Sequence, residues 1–198
     1  MKKAIIATLY SYKPVIASAM KLSADYLHLL IDKNPDSTQE KAISFVKEAL
    51  KDVVEIKTYP TEVYDIVRIA EKSVRIIDSI PQEIEVILNV SGARKTKAFG
   101  LLFAGYARFA RVSRIIYVTK EDNQIVPLPK LSFDLNNSES MILKFLKEND
   151  GADAGDILKQ LKISKAMLYK SVKELKMRGL LENETNLKLT DAGKISVL

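Results

Sequence analysis

Two stretches of the sequence place hydroxyl and cationic side chains where they can bind phosphate. The first, residues 7–14, reads Ala-Thr-Leu-Tyr-Ser-Tyr-Lys-Pro and lies at the end of a short apolar run. The second, residues 89–97, reads Asn-Val-Ser-Gly-Ala-Arg-Lys-Thr-Lys and opens a helix-like segment. Gly92 allows the backbone to approach a ligand closely, and the start of a helix favours an anion. Because Arg94, Lys95 and Thr96 supply further donors, the pattern predicts a phosphate-binding site.

The composition excludes several other kinds of chemistry. The chain has 198 residues, with 31 Lys and Arg against 25 Asp and Glu, no Cys and one His. Without cysteine there is no thiol nucleophile, zinc ribbon or iron–sulfur cluster, and a single His argues against Ser-His or multi-histidine metal chemistry. His28 alternates with Leu27 and Leu29, which favours a structural role. Neither a G-x-G-x-x-G motif nor a P-loop is present, so we expect no NAD or ATP site, no other cofactor and no metal.

Residues 1 to about 130 alternate β-branched runs with helix-like stretches, which predicts a mainly parallel sheet covered by helices. The predicted strands are Lys3–Leu9, Tyr26–Ile31, Val53–Thr58, Ile84–Asn89, Arg114–Thr119 and Gln124–Leu128. The predicted helices are Pro14–Leu22, Thr38–Lys51, Thr61–Ile80 and Lys95–Ala110. Both phosphate-binding stretches then follow strands, at the edge of the sheet where ligands bind in such folds.

The prolines at 127 and 129 and the Asn-Asn-Ser at 136–138 end this alternation, which predicts two domains, 1–131 and 137–198. The second has helical periodicity over Ser138–Glu148 and Asp153–Leu161, and over a third helix that Ser164 caps and Gly179 ends. A hairpin follows over residues 180–190, with turn residues Asn183 to Asn186. This order predicts an α+β helix-turn-helix domain with a β-wing.

Basic charge is concentrated in two zones. No acidic residue lies between Glu85 and Glu121, where seven Lys and Arg occur, and residues 159–178 hold seven basic residues against one acid. The two zones indicate two anionic ligands or one extended one, and the alternative is solvated helix faces. In the third helix, Leu168, Val172 and Leu175 should be buried. The predicted DNA contacts are Lys165, Ala166, Tyr169, Lys170, Lys173 and Arg178.

The sequence shows no pattern that predicts a signal peptide or a membrane-spanning helix. The N-terminus lacks a signal-peptide pattern, and the longest apolar stretch, Ala98–Ala107, is far shorter than the roughly 20 residues that a bilayer requires. We therefore expect a cytoplasmic protein with no membrane partner.

Residues 161–193 resemble the winged-helix family of DNA-binding domains, especially MarR-like and archaeal regulators. The match is carried by the recognition-helix stretch Ile163–Glu182 and by Leu-Thr-Asp-Ala-Gly at 189–193. The resemblance implies double-stranded DNA as a partner. The alternative to DNA binding is a module that only dimerises or binds protein, as some winged helices do. The hairpin also weakens the case for DNA, because Glu182 and Glu184 are acidic where many wings are basic.

Residues 1–130 resemble the CARF domain, the Rossmann-like sensor of CRISPR-associated proteins. An apolar strand ends in Asn-Val-Ser-Gly-Ala-Arg-Lys and leads into a small-residue helix, with Ala93 where the family motif has a second glycine. The order CARF then winged helix resembles archaeal CRISPR-associated transcription regulators. The resemblance implies a homodimer that binds a cyclic oligoadenylate, typically the tetra-adenylate, on its two-fold axis.

The ligand contacts that this resemblance implies come from both stretches: Leu9, Tyr10, Ser11, Tyr12, Lys13, Asn89, Ser91, Gly92, Arg94, Lys95 and Thr96. Several of these residues also have a structural interpretation. Asn89 and Ser91 can cap the turn, Lys13 can be solvated, and Tyr10 and Tyr12 can pack on the dimer partner.

Two functions follow from different classes. The first is a transcriptional regulator in which a cyclic oligoadenylate shifts the recognition helices and so changes DNA affinity. The alternative is a metal-independent ring nuclease that cleaves cyclic tetra-adenylate and ends the signal, with Ser11 and Lys95 as its catalytic residues. A pure interaction module with a vestigial winged helix is a third, weaker reading.

Overall fold

The computed structural model describes residues 1–128, 135–182 and 186–198. The chain divides into two compact units, Met1–Ser132 and Phe133–Leu198. The predicted domain boundary at 131 and the predicted wing-turn residues Asn183 and Glu184 lie outside the described residues. No helix in the described part of the chain is long and apolar enough to span a bilayer.

The first unit is an α/β fold built on a six-stranded sheet, as the sequence predicts. Its strands are β1 (Lys3–Leu9), β2 (Tyr26–Asp32), β3 (Glu55–Thr61), β4 (Glu85–Gly92), β5 (Val112–Val118) and β6 (Ile125–Leu128). Its helices are α1 (Lys13–Lys21), α2 (Ser37–Leu50), α3 (Ile66–Ser79) and α4 (Lys95–Ala107). The strand order is β3-β2-β1-β4-β5-β6, and only β6 runs antiparallel to its neighbour.

The strand order reverses between β1 and β4. The chain winds outward from β1 through β2 to β3 and then returns to β4 on the other side of β1. In open α/β sheets this switch point leaves a crevice outside the carboxyl ends of the two central strands. The two phosphate-binding stretches follow β1 and β4, so the topology brings them to this crevice.

Helices cover both faces of the sheet. On one face, Val15 of α1 and Val46 of α2 join a core with Leu29 and Ile87. Successive strand residues point to opposite faces, so Leu88 faces the other side. There α4 lies so close that a Cβ at Gly105 would come within 2.7 Å of Leu88 Cδ1. Gly105 therefore allows close packing of α4 on the sheet, and Gly100 allows close packing of α4 on Ile69, which belongs to the helix after β3.

The predicted helix Thr61–Ile80 is wrong at its start. Thr61 is instead the last residue of β3, and α3 begins at Ile66. β3 is an edge strand, where a proline such as Pro60 costs no ladder hydrogen bond with a further neighbour. The helix begins only after Asp65, whose carboxylate accepts from Arg68 N at 3.0 Å.

The second unit contains α5 (Asn137–Glu148), α6 (Ala154–Leu161), α7 (Lys165–Met177) and α8 (Asp191–Ser196). Its core joins Ile142, Ile157, Leu168 and Leu175, with Val172 half-buried against it. Lys162 ends α6 in the left-handed conformation at φ 51°, and Ser164 caps α7 by accepting from Met167 N. A three-residue turn thus separates α6 from α7.

A short antiparallel bridge pairs Leu181 with Leu189 after α7. Thr190 donates from Oγ1 to Gly179 O at 2.7 Å and also caps α8. Gly193 allows α8 to begin against this bridge, since a Cβ there would lie 2.1 Å from Leu180 O. The Leu-Thr-Asp-Ala-Gly stretch therefore connects the bridge directly to the start of α8.

Candidate functional site

The carbonyl of Gly92 joins the two predicted loops. The backbone N–H groups of Tyr10 and Ser11 both donate to it, at 2.5 and 2.7 Å. A Cβ at Gly92 would lie 2.3 Å from Thr8 O, so only glycine allows the approach. The structure thus brings the loop after β1 against the end of β4, at the switch point of the sheet.

Asn89 and Ser91 form the scaffold below these loops. Asn89 is fully buried, and its Nδ2 donates to Pro14 O at 3.1 Å and to Ser18 Oγ at 2.7 Å. Its Oδ1 accepts from both the N–H and the hydroxyl of Ser91. The Ser91 hydroxyl in turn accepts from Val118 N at 2.5 Å. These side chains fix β4, α1 and β5 relative to one another.

Two predicted ligand contacts therefore need correction. The side chains of Leu9 and Asn89 have no exposed surface, so a ligand cannot touch them in this conformation. The Leu9 carbonyl accepts from Nε2 of the buried Gln39 at 2.5 Å. Both residues position the loops, which is the structural interpretation that the sequence left open for Asn89.

Tyr10 is held between a carboxylate and a guanidinium. Its hydroxyl donates to Asp36 Oδ2 at 2.8 Å, and the guanidinium carbon of Arg94 lies 5.4 Å from its ring centroid. The backbone N–H of Gln39, and then the Tyr10 hydroxyl, lower the pKa of Asp36. The hydrogen bond to Asp36 raises the pKa of Tyr10. At neutral pH this pair is accordingly a carboxylate and a neutral phenol.

Two helices at the crevice lack a side-chain cap. Neither α1 nor α4 has a capping hydrogen bond at its N-cap residue or an acidic residue in its first turn. Every other helix of the described chain has a capping side chain. The starts of α1 and α4 carry Lys13, Arg94 and Lys95, and no carboxylate of the described residues lies within ion-pair distance of these three. The charge of Arg94 acts on Asp36 from further away and contributes to its lowered pKa. Cations at a helix N-terminus are unfavourable without an anion, so the arrangement suits an anionic ligand.

The remaining predicted residues are engaged within the protein. The Thr96 hydroxyl donates to Val63 O at 2.6 Å and so holds the loop after β3. The Tyr12 ring packs on Phe45 with centroids 4.4 Å apart. The exposed side chains are those of Ser11, Lys13, Arg94 and Lys95, and those of Tyr10, Tyr12, Ser91 and Thr96 are half-buried.

Lys97 is a residue of this site that the sequence reasoning missed. Its side chain is fully buried, and its Nζ lies 2.6 Å from Asp32 Oδ1 at the end of β2. At this distance the two groups form an ion pair, but the angles between them are not those of a regular hydrogen bond. Among the described residues, Lys97 Nζ forms no regular hydrogen bond with any other acceptor. Burial lowers the pKa of Lys97, and Asp32 opposes that effect. The sequence carried a signal for it, because Lys97 precedes Leu101 by four positions and Ala104 by seven, which is the spacing of one helix face.

The second unit presents a basic helix face. The predicted DNA contacts Lys165, Ala166, Tyr169, Lys170 and Lys173 are all exposed on α7. Lys165 Nζ lies 5.9 Å from the Tyr169 ring centroid. Across residues 135–182 and 186–198, no carboxylate lies within ion-pair distance of Lys165, Lys170 or Lys173. This face carries uncompensated positive charge.

Arg178 differs from the other predicted DNA contacts. Its Nη1 donates to Glu139 Oε2 at 3.2 Å, and Glu139 is buried. Glu139 also completes a capping box with Asn136 at the start of α5. The Arg178 side chain therefore links the end of α7 to α5, which gives it a structural role in addition to the predicted one.

Comparison with known proteins is consistent with this fold. A family model described as "HFX_2341_N:-like, N-terminal" matches residues 4–123, more than half of the chain. The chain belongs to this family. No curated protein matches the chain.

Several solved structures share the fold at low sequence identity. Can2 from Sulfobacillus thermosulfidooxidans, in complex with cyclic tetra-adenylate, matches 98% of the chain with a TM-score of 0.53 and 15% identity. Csm6 from Enterococcus italicus, bound to cyclic hexa-2′-fluoro-hexa-dAMP, matches 90% with a TM-score of 0.53 and 14% identity. Protein VC1899 from Vibrio cholerae matches 98% with a TM-score of 0.51 and 10% identity. The chain spans 63%, 55% and 64% of these three chains, respectively.

Proposed function

We propose that this protein is a CARF-type regulator that binds a cyclic oligoadenylate, typically the tetra-adenylate, at its first unit and DNA at its second. The observation that carries the proposal is the pair of uncapped helix starts at the switch point, where Lys13, Arg94 and Lys95 have no carboxylate partner. The shared fold with Can2 and Csm6, whose structures hold cyclic nucleotides, supports this class of ligand. The role in CRISPR signalling rests on the same likeness.

The accessible residues match the parts of such a ligand. Lys13, Arg94 and Lys95 suit phosphates, and the uncapped N–H groups of α1 and α4 add donors. The Ser11 hydroxyl suits a ribose, and the Tyr10 ring suits a base. Leu9, Tyr12, Asn89, Ser91, Gly92 and Thr96 hold these groups in position.

The proposed regulator is a homodimer. The side of α4 that faces away from the sheet is apolar, with Phe99 exposed and Leu102 and Phe103 half-buried. Because α4 begins at Lys95, a second copy seated on this side would bring its own cations near the same ligand. A ring with two-fold symmetry would then contact both subunits equally.

The second unit is proposed to be a winged helix that binds double-stranded DNA. The order α5, α6, α7 and bridge, with its three-residue turn, supports this fold. Lysines 165, 170 and 173 would contact phosphates, and Ala166 and Tyr169 would lie nearest to base edges. Ligand binding in the first unit would change the separation of two recognition helices and thereby DNA affinity.

A ring nuclease is the second candidate. Ser11 and Lys95 are exposed, and the backbone of Ser11 is bound to Gly92 O, which supports a fixed hydroxyl near a cation. Cleavage needs a ribose 2′-hydroxyl in line with its phosphate and a cation on the developing charge. The nearby Asp36 has a lowered pKa and is a weak base, so any cleavage should be slow.

The proposal is tested by equilibrium binding of cyclic tetra-adenylate to the full chain and to the variant Arg94→Ala/Lys95→Ala. We expect the double variant to lose binding and to keep its unfolding temperature, because both side chains are exposed. Lys41→Ala/Lys47→Ala on α2 removes the same charge from exposed positions and is the matched control. An equal loss of affinity in both double variants would show that binding depends on overall charge and not on a specific site. Unchanged affinity in Arg94→Ala/Lys95→Ala would show that the ligand does not bind at these two residues.

A further inference from the structure

The loop that follows β3 borders the candidate site and is fixed at three points. Thr61 is buried, and its hydroxyl donates to Ile31 O at 3.1 Å. Val63 O accepts from the Thr96 hydroxyl at 2.6 Å, which ties the loop to the first turn of α4. Asp65 caps α3. The backbone on either side of residue 64 is therefore held in place.

Tyr64 lies between these fixed points with its side chain in solvent. The residue is 72% exposed, more than any other described tyrosine or phenylalanine. Within residues 1–128 no hydrogen bond or ring contact involves it, whereas Tyr10 bonds Asp36 and Tyr12 packs on Phe45. Its aromatic ring contributes almost nothing to the core, since burial is the source of hydrophobic stabilisation.

The loop holds two carboxylates, Glu62 and Asp65, and both lie within ion-pair distance of a cation; Asp65 Oδ2 is 3.4 Å from Arg68 Nε. Glu62 Oε1 lies 2.5 Å from Lys33 Nζ and 3.7 Å from Arg68 Nη1. The carboxylate therefore does not oppose an anion at Arg94 and Lys95 as a free charge would. A polyanion at the crevice can approach Tyr64 without that repulsion.

We propose that Tyr64 is a base-stacking residue of the candidate site, so that the loop after β3 forms a third wall beside the loops after β1 and β4. Nucleic-acid-binding proteins use exposed aromatic rings on a fixed backbone to stack on bases. Such a ring loses little conformational entropy when a base binds to it, because the backbone is already held in place. Thr96 connects this wall to the phosphate-binding turn, since it follows Lys95 directly and holds Val63 O. The inference rests on the proposed function and adds a purine contact to it.

The test compares the affinity of the full chain, Tyr64→Ala, Tyr64→Phe and Arg94→Ala/Lys95→Ala for cyclic tetra-adenylate. Stacking on one base is worth about 1–3 kcal/mol, so Tyr64→Ala should weaken binding roughly 5- to 140-fold for each subunit whose Tyr64 stacks on the ring, and Tyr64→Phe should keep it. All variants should keep their unfolding temperature, since the side chains are exposed.

A second readout reports stacking independently of affinity. In a ring with one adenine replaced by 2-aminopurine, fluorescence should be quenched on saturation of the wild type and of Tyr64→Phe, and less so in Tyr64→Ala. If Tyr64→Ala keeps full affinity and full quenching while Arg94→Ala/Lys95→Ala loses binding, the stacking role is wrong and the proposed function stands. If the Arg94 and Lys95 variant also binds normally, or the wild type does not bind, the proposed site itself is wrong and the inference fails with it.

Discussion

The ammonium of Lys97 lies 2.6 Å from a carboxylate oxygen of Asp32, and both side chains are buried. Lys97 belongs to the first turn of α4, and Asp32 ends β2, which is separated from β4 by β1. The pair therefore connects the helix that carries Arg94 and Lys95 to the opposite side of the switch point. Arg94 and Lys95 therefore lie at the start of a helix whose first turn is held in place by this buried ion pair.

Removing one partner of this pair should be costly. We expect Lys97→Met to lower the free energy of unfolding by about 3–5 kcal/mol, because it leaves a buried carboxylate without its counter-charge. The double variant Asp32→Leu/Lys97→Met should recover much of that loss, since apolar side chains can replace a buried pair. Denaturant unfolding measures both. A Lys97→Met variant as stable as the wild type would show that the pair contributes nothing.

Gly92 should tolerate no side chain. A Cβ there would lie 2.3 Å from Thr8 O, so Gly92→Ala should cost about 1–3 kcal/mol and displace the loop after β1. Gly155→Ala in α6 is the control, because its Cβ would meet only the Asp153 side chain, at 3.1 Å. That change should alter stability by less than about 1 kcal/mol, because the higher helix propensity of Ala is opposed by a small shift of the Asp153 carboxylate that caps α6. Equal effects of the two substitutions in thermal unfolding would contradict the proposed role of Gly92.

His28 predicts a pH dependence of stability. Burial, and then the charge of Lys57, lower its pKa from 6.5 to about 4, with Glu55 acting the other way. The unfolded chain binds the proton more readily, so stability should be fully present above pH 6.5 and fall as the pH drops towards 4. A pKa difference of about 2.5 corresponds to a loss of about 3 kcal/mol.

The measurement is the free energy of unfolding between pH 7 and pH 4 for the wild type and His28→Gln. The variant should lose less stability over this range, because Gln carries no proton to bind. A slope that is the same in both proteins would mean that other groups cause it. Tyr59, whose hydroxyl lies 3.0 Å from His28 Nδ1, is the same residue in the wild type and in the variant.

Lys170 should be required for DNA binding. We expect Lys170→Glu to weaken duplex binding strongly and to reduce the slope of log affinity against log salt by about 1, as for a phosphate contact. Lys144→Glu on α5 makes the same charge change at an exposed position outside α7 and should have a smaller effect. Fluorescence anisotropy over a salt series measures both. A salt-independent affinity, or equal losses in both variants, would exclude α7 as the DNA-binding face.

The fold was predictable from the sequence wherever strand and helix patterns are local. Segments rich in apolar and β-branched residues such as Ile84–Asn89 predict buried strands, and Ser164 and Gly179 predict the ends of a helix. The start of α3 was missed, because an edge strand accepts Pro60 and Thr61 that a sequence pattern assigns to a turn or helix.

The candidate site was less predictable, because it depends on contacts between distant residues. Lys97 lies on the buried face of α4 with Leu101 and Ala104, whereas Lys95 lies outside that face and is exposed. Its counter-charge, Asp32, comes from a distant strand that the local sequence does not identify. Asn89 is polar and ends the predicted strand, which indicates a ligand contact, but it lies within β4 and its amide donates to Pro14 O and Ser18 Oγ of α1. Tyr64 carries no local signal at all, since its setting depends on Thr96 holding the preceding residue.

Titration of the purified protein with cyclic tetra-adenylate in a calorimeter, followed by chromatography of the recovered ligand, shows whether the first unit binds this ligand and whether it cleaves it. We expect tight binding of one ring per two chains, lost in Arg94→Ala/Lys95→Ala. Intact ligand supports the regulator, and linear product formed over multiple turnovers supports the ring nuclease at the same site. No binding, or binding that survives loss of Arg94 and Lys95, would contradict the account.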